Sequence, residues 1–478
     1  MKPAIKFGTS GWRGLIARDF TFANARLVTQ AIAQHLQSEL RRPRTAIAGR
    51  QPLVIVGYDT RFLGREFALA AAEVLAANGL DPLLCERDTP TPAIAHSIRV
   101  RKALGGINLT ASHNPAEYQG LKFSTHNGAP APPEITRQIE TRVAELQSQD
   151  WEFPPGDAGP FVAKSFDPRP AYFKQLRKLV DFPMIKRAKL KVAVDFNYGT
   201  GRGYLDTLLL EAGAGVTCFH DQLNPLFGGR HPEPDAEGMR EVRAFILAGK
   251  AHLGLGLDGD ADRFGVVDKN GVWLTPNQVL ALTLYHLKKN RGWTGAAVRT
   301  VPTSHLVDAV AEWLGVRVLE TPVGFKYIGA LMESEPVIVG GEESGGLSVK
   351  GHVPEKDGIL ACLLMAELVA CEGKTLDEIL RAIAQHTGTF YTDRLNIPVA
   401  PSQKDALRQK LGSGLVSIGA FKVEKFITLD GYKFLLPHGE WVAFRPSGTE
   451  PLFRCYIEAK SASQLKRLRT ACLRLLRV

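Results

Sequence analysis

A chain of 478 residues, 45% of them hydrophobic, is long enough for three or four domains of ordinary size, each with its own core. Its longest apolar runs fall short of the roughly 18 residues needed to cross a bilayer, so no membrane role is expected. The net charge of +10, from 59 basic and 49 acidic residues, is spread along the chain with an excess near the C-terminus (Lys466, Arg467, Arg469, Arg474, Arg477) and no interleaved aromatics, which favours a small phosphorylated ligand over nucleic acid.

The N-terminus, Met1 to Lys6, has no apolar core of signal-peptide type, and a cytoplasmic location is expected. The six cysteines are dispersed, without a C-x-x-C pair, and read as small hydrophobes rather than as a disulfide framework.

In chain order, Lys6 to Gly14 carries three glycines and two hydroxyls and reads as a donor-rich loop, in which Arg13 can grip a phosphate with two N–H groups. An amphipathic helix is predicted over 22–40. Leu53 to Asp59 is a buried strand ending in turn residues, and a helix follows over 65–77, stopped by Asn78-Gly79. Continuous apolar strands alternating with helices predict α/β sheets, whose ligands sit at the carboxyl ends of strands. The strand Ala103 to Leu109 delivers such a loop, Thr110-Ala111-Ser112-His113-Asn114-Pro115. Pro115 keeps it out of helix. By itself it reads equally as a turn capping its own backbone or as a serine presented to a ligand. His113 beside it, or Lys122 in Gly120-Leu121-Lys122-Phe123, is the candidate proton carrier.

Residues 134–147 form the last predicted helix of the first unit, and Trp151 to Pro170 the first linker. A helix near 171–180 and a strand over 190–196 open the second unit; Asn197 to Gly201 lacks the spacing of a dinucleotide loop and reads as a structural turn. The strand Leu253 to Leu257 delivers Asp258, Asp260 and Asp262, with Arg263 next to them. Three carboxylates so close repel one another unless a cation offsets them, and an all-oxygen set suits Mg²⁺ or Ca²⁺ rather than zinc. The spacing is not that of an EF-hand. The third unit has predicted helices over 276–288 and 304–313 and two informative loops, Thr321 to Lys326 and Gly340 to Gly346, the second following an apolar strand. Glu342 and Ser344 could meet sugar hydroxyls, although alone Glu342 reads better as a helix cap or surface charge. The last unit has strand-like runs at 394–399 and 433–436 and a helix over 463–475. Arg445, Ser447, Gly448, Thr449 and Arg454 gather the donors of an anion cradle on a β-turn.

A serine loop, a hard-cation site and a phosphate cradle together point to phosphoryl transfer. On these motifs the chain resembles the α-D-phosphohexomutases, the phosphoglucomutase and phosphomannomutase superfamily, over essentially its whole length. The resemblance implies an α/β fold with four domains around a central cleft: three similar mixed-sheet α/β domains and a smaller C-terminal α+β domain. The expected boundaries are 1–160, 161–270, 271–386 and 387–478. It further implies that Ser112 carries a phosphoryl group and that Asp258, Asp260 and Asp262 hold Mg²⁺ that also contacts the serine phosphate. Arg13, Arg263, Lys122 and His113 fill catalytic roles. Thr321, Gly324, Lys326, Glu342, Ser344 and Lys356 face the sugar, and Arg445, Ser447, Gly448, Thr449 and Arg454 hold the unreactive phosphate.

In one respect the chain departs from the pattern. Many dual-specificity members have His at the positions of Gly346 and Phe325. An aromatic residue before the lysine resembles the glucose-type branch. The expected activity is therefore interconversion of glucose 1-phosphate and glucose 6-phosphate, with glucose 1,6-bisphosphate as intermediate and activator. A mutase for mannose or glucosamine phosphates is the nearer alternative, and a non-catalytic basic binding protein the remote one. A monomer or homodimer is expected.

Overall fold

The computed structural model describes residues 5–8, 11–42, 47–153, 162–446 and 452–476. Among the described residues, four larger sheets, mixed or antiparallel, follow one another along the chain, and a two-stranded ribbon of Ser417–Ile418 with Phe421–Lys422 lies in the last unit. The first has six strands in the spatial order Trp12–Leu15, Tyr118–Thr125, Gly105–Leu109, Leu53–Tyr58, Asp81–Cys85 and Lys164–Phe166. Its central strand, Leu53–Tyr58, is parallel to both neighbours, and its side chains alternate between two cores. Val54 and Val56 pack beneath the helices Phe22–Arg41 and Gly64–Ala77, whereas Ile55 meets Ile94 and Ile98 of the helix Thr91–Val100 on the other face. That two-sided cover is what a continuous apolar strand requires.

The second sheet runs Trp273–Leu274, Phe264–Val267, Leu253–Leu257, Lys191–Asp195, Gly215–Phe219, and the third Val318–Thr321, Ala296–Thr300, Val337–Glu342, Gly346–Val349. They share one hydrophobic core. The helix Gly358–Glu372 joins them: its residues from Gly358 to Leu368 are all buried, so it is apolar on every side and shows no amphipathic period. The fourth sheet is antiparallel, with the helix Ala462–Leu476 against it and a core of its own. The fold is thus three α/β units and a C-terminal α+β unit.

Several expectations need correction. Lys6 to Gly14 is not all loop, because Trp12–Leu15 pairs antiparallel with Tyr118–Leu121 as an edge strand. The linker expected over 151–170 contains the strand Lys164–Phe166, parallel to Asp81–Cys85, and the helix Arg169–Leu179 begins within it. The first sheet therefore reaches past residue 160, and the second, through Trp273–Leu274, past residue 270. No helix among the described residues is long and apolar enough to cross a membrane.

Candidate active site

Two loops meet where the first and second units touch. Ser112 sits at the carboxyl end of Gly105–Leu109 with a left-handed backbone, φ +54°. Its Oγ donates to Asp258 Oδ2 at 2.8 Å, across 146 residues of sequence. The approach depends on Gly259, where a Cβ would stand 2.7 Å from the Ser112 carbonyl oxygen. Asp258, Asp260 and Asp262 follow the strand Leu253–Leu257, and oxygens of the three lie within 4.8 Å of one another. All are buried. The first unit also holds this loop through Thr91, whose N–H bonds the Asp260 carbonyl at 2.9 Å and whose hydroxyl donates to Asp260 Oδ2. The third unit holds it through Gly358, whose N–H donates to the Ala261 carbonyl at 3.1 Å.

The electrostatics follow from that crowding. Lys122 Nζ donates to Asp260 at 2.6 Å and Asp262 at 2.9 Å; Lys356 Nζ lies 2.8 Å from Asp262. Burial alone would raise both carboxylates, but the ammonium of Lys122, with that of Lys356 at Asp262, holds them below the usual range. Asp258 is raised well above it, by burial first and then by its two acidic neighbours. Asp260 Oδ1 and Asp262 Oδ1 are buried and accept no hydrogen bond from any described residue. Orphaned carboxylate oxygens in an all-oxygen cluster still short of positive charge fit a hard divalent cation such as Mg²⁺. His113 Nδ1 lies 3.4 Å from Ser112 Oγ, and its imidazole is driven well below its ordinary pKa by burial and then by Arg263 and Arg13. The ring beside the hydroxyl is therefore neutral and a weak base, suited at most to relaying a proton; Lys122, pinned by two carboxylates, is instead a fixed cation.

Comparison with known proteins settles the family. The four domain models of phosphoglucomutase/phosphomannomutase match residues 4–150, 170–271, 275–386 and 369–475. The chain belongs to the phosphoglucomutase/phosphomannomutase family. It is 30% identical to a phosphoglucomutase of Komagataeibacter xylinus, over 98% of this chain and 89% of that one. Identity is also 30% with a probable phosphoglucosamine mutase of Methanothermobacter thermautotrophicus, over 97% and 96%. The crystal structure of a putative phosphomannomutase from Thermus thermophilus superposes with a TM-score of 0.86 at 34% identity, covering both chains fully. The chain is therefore a phosphohexomutase, and three sugars appear among the names of its relatives.

The remaining predicted residues of the phosphohexomutase fall into place unequally. Arg13 Nη1 donates to Asn114 Oδ1 at 2.6 Å, bracing the serine loop. Arg263 gives its backbone N–H to Asp258 and its guanidinium to Glu233 at 3.0 Å. Glu342 Oε1 accepts the N–H of Gly324 at 2.8 Å, at the start of the helix Phe325–Ser334, so the helix-cap reading holds alongside any sugar contact. Its carboxyl is pushed up to about 7 by burial and then by Glu343. Thr321 is buried and bonds the Pro322 carbonyl; Lys326 is half-buried near the first unit's Glu134 and the fourth unit's Arg445; Ser344 lies at the turn after Glu342. Arg445 is held by Asp430, which also accepts the N–H of Val323 at 2.8 Å, joining the fourth unit to the loop Thr321 to Lys326. Arg454 lies opposite Arg445 on the paired strand. Ser447, Gly448 and Thr449 lie outside the described residues.

Sequence reasoning missed Asp59, Arg61, Thr91 and Glu233. Glu355 pairs with Lys356 at 3.3 Å, and Arg61 is the buried centre of the serine loop. The available signal was position alone: Asp59-Thr60-Arg61 follows a parallel strand at its carboxyl end, where α/β sites form.

Proposed function

We propose that this phosphohexomutase interconverts glucose 1-phosphate and glucose 6-phosphate through a phosphorylated Ser112. The observation that carries the phosphotransfer is the 2.8 Å contact between Ser112 Oγ and Asp258, inside a buried cluster of three carboxylates. Phosphoserine Ser112 gives its phosphoryl group to the free sugar hydroxyl: the Oγ–P bond breaks, a sugar O–P bond forms, and His113, 3.4 Å from Oγ, is placed to pass the sugar hydroxyl's proton to the freed Ser112 Oγ. The product is glucose 1,6-bisphosphate. The sugar turns end for end; the other sugar O–P bond breaks as that phosphoryl group returns to Ser112 Oγ, and the serine hydroxyl's proton passes back through His113 to the sugar oxygen that is freed.

Lys122, Arg13 and Arg263 hold positive charge around the transferring oxygens. Asp258, Asp260 and Asp262 would hold Mg²⁺, which when bound offsets charge developing on the phosphoryl oxygens. Glu342, Ser344, Thr321, Gly324, Lys326 and Lys356 orient the sugar. Arg445 and Arg454, with Ser447, Gly448 and Thr449, grip the phosphate that does not react, so one cradle serves both orientations.

The glucose preference is supported by the resemblance of the loops around Phe325 and Gly346 to the glucose-type branch, and both residues pack on Lys356. A Cβ at Gly346 would stand 2.1 Å from Lys356 Cδ, and the Phe325 ring lies 5.9 Å from its ammonium. A side chain at 346 would displace Lys356 from its present position. Ser112→Ala is expected to fold normally and to lose more than about a thousandfold in kcat, in keeping with removal of a covalent nucleophile. Incubation with glucose 1,6-bisphosphate should add one phosphoryl group by intact mass to the wild type and none to the variant. Normal turnover by the variant would remove the mechanism. Rates measured in parallel on glucose, mannose and glucosamine 1-phosphates decide the sugar.

A further inference from the structure

Arg61 belongs to no ligand-binding motif, yet its guanidinium is spent on Asp59 and on backbone carbonyls of the serine loop and of Tyr118 just beyond it. It follows the strand Leu53–Tyr58 and is fully buried against Asp59. Nη1 donates to the carbonyls of Pro115 at 2.6 Å and Tyr118 at 3.0 Å; Nη2 donates to those of Ser112 at 2.7 Å and Asn114 at 2.6 Å. Nε donates to Asp59 Oδ2 at 3.1 Å. The same Asp59 oxygen accepts the hydroxyl of Thr110 at 2.6 Å, and Thr110 Oγ1 accepts the N–H of Ser112 at 2.9 Å. Both sides of the Ser112 backbone are thus fixed, its N–H through Thr110 and its carbonyl through Arg61. Phe227, from the second unit, lies over the guanidinium with its ring centre 4.9 Å from Cζ.

The physical need for such a clamp is the conformation of Ser112. A non-glycine residue at φ +54° is disfavoured by clash of its Cβ with the backbone and persists only where surrounding bonds over-determine it. Relaxing to an ordinary negative φ would swing Oγ away from Asp258. A lysine cannot replace the arginine, because it offers a point charge where a planar fork serves four carbonyls at once.

We propose that Arg61 is a positioning residue for phosphoryl transfer, which, with Asp59 and Thr110, holds Ser112 in its left-handed conformation so that its Oγ faces the three aspartates. Its guanidinium contacts Asp59 and the loop carbonyls, and it acts through the loop backbone. The inference rests on the reading of Ser112 as the phosphoryl carrier.

The test uses the full chain with Arg61→Lys and, as a variant of near-equal volume, Thr110→Val. In both, kcat and the rate of Ser112 phosphorylation by glucose 1,6-bisphosphate are expected to fall together, by about 10- to 100-fold, the scale of a misplacement of about 1 Å. The KM for glucose 1-phosphate should stay within about threefold, because the sugar and phosphate grips lie elsewhere. Loss of packing alone would lower the folded fraction, and so the amplitude of phosphorylation, without slowing its rate in the molecules that remain folded. If Arg61→Lys does not fold, Thr110→Val decides. Phosphorylation at the wild-type rate in the folded variant overturns the proposal. Absence of phosphorylation in the wild type itself would instead overturn the reading of Ser112.

Discussion

The centre of the molecule and its C-terminal unit are joined by different kinds of interaction. At the centre, the second and third units share one continuous apolar core, and the first is tied to them by the buried pairs of Lys122 with Asp260 and Asp262. The fourth unit has a separate core and meets the third through a polar knot. Glu458 accepts the indole N–H of Trp441 at 2.7 Å, the backbone N–H of His305 at 3.0 Å and the hydroxyl of Ser304. Lys433, without solvent exposure, donates to the Val301 carbonyl at 2.8 Å and lies 3.0 Å from His305 Nε2 and 3.4 Å from Glu320. A fused apolar core resists sliding because every displacement opens cavities. A hydrogen-bonded knot between two complete cores leaves each unit whole when it opens. The difference suits the proposed division of labour: phosphoryl transfer needs fixed geometry, whereas a bisphosphate that must turn around needs a phosphate grip that can let go.

The sharpest way to break this contrast is at Lys122. Lys122→Met leaves two buried carboxylates facing each other without their shared cation, and breaking a buried pair in this way costs about 3–5 kcal/mol. Urea unfolding in EDTA should show that loss in the body of the protein, and added Mg²⁺ should narrow the gap between variant and wild type. An unchanged midpoint in EDTA would mean that Lys122 is not the counter-charge. At the joint, Glu458→Gln keeps the shape but loses one of the oxygens that accept Ser304, His305 and Trp441, at about 1–3 kcal/mol. Hydrogen exchange should register this in the strands Trp441–Pro446 and Leu452–Ala459 and leave Leu253–Leu257 unaffected. Equal loosening of all three would mean that the units do not unfold independently.

The same contrast explains what could be read from the sequence. The helix expected over 22–40 is observed as Phe22–Arg41, and the strand Leu253–Leu257 is as expected, because period and turn residues are local signals. The serine and aspartate loops that meet in the fold were legible for the same reason: each is a short run of unusual composition. The helix Gly358–Glu372 was not, since burial on every side erases the amphipathic period. Arg61 was not, because an Asp-x-Arg after a strand looks like any turn, and the carbonyls it serves lie 51 to 57 residues away. The knot at Ser304, Lys433 and Glu458 was likewise invisible: its members are ordinary polar residues until the fold brings them together.

A smaller effect separates the two regions by sign. Burial lowers the ammonium of Lys433 to about 8, with Arg299 adding to it and Glu320 opposing. At Lys122 burial is outweighed by Asp260 and Asp262, and its pKa is raised. Below pH 8 Lys433 is protonated in both folded and unfolded chains and adds no slope. Between about 8 and the ordinary lysine value near 10.4, the unfolded chain binds more protons at this position, so its contribution to stability rises with pH. Lys122 behaves oppositely: its stabilisation is complete below the ordinary lysine value and is lost only as pH rises through its own higher one. The difference in unfolding free energy between wild type and Lys433→Met should therefore shift in favour of the wild type from pH 8 to pH 10, by no more than about 1.4 kcal/mol per pH unit. Differencing against the variant removes titrations common to both proteins. A flat difference over that window would place Lys433 at its ordinary value, and the joint would then be a simple ion pair with Glu320 rather than a buried knot under desolvation strain.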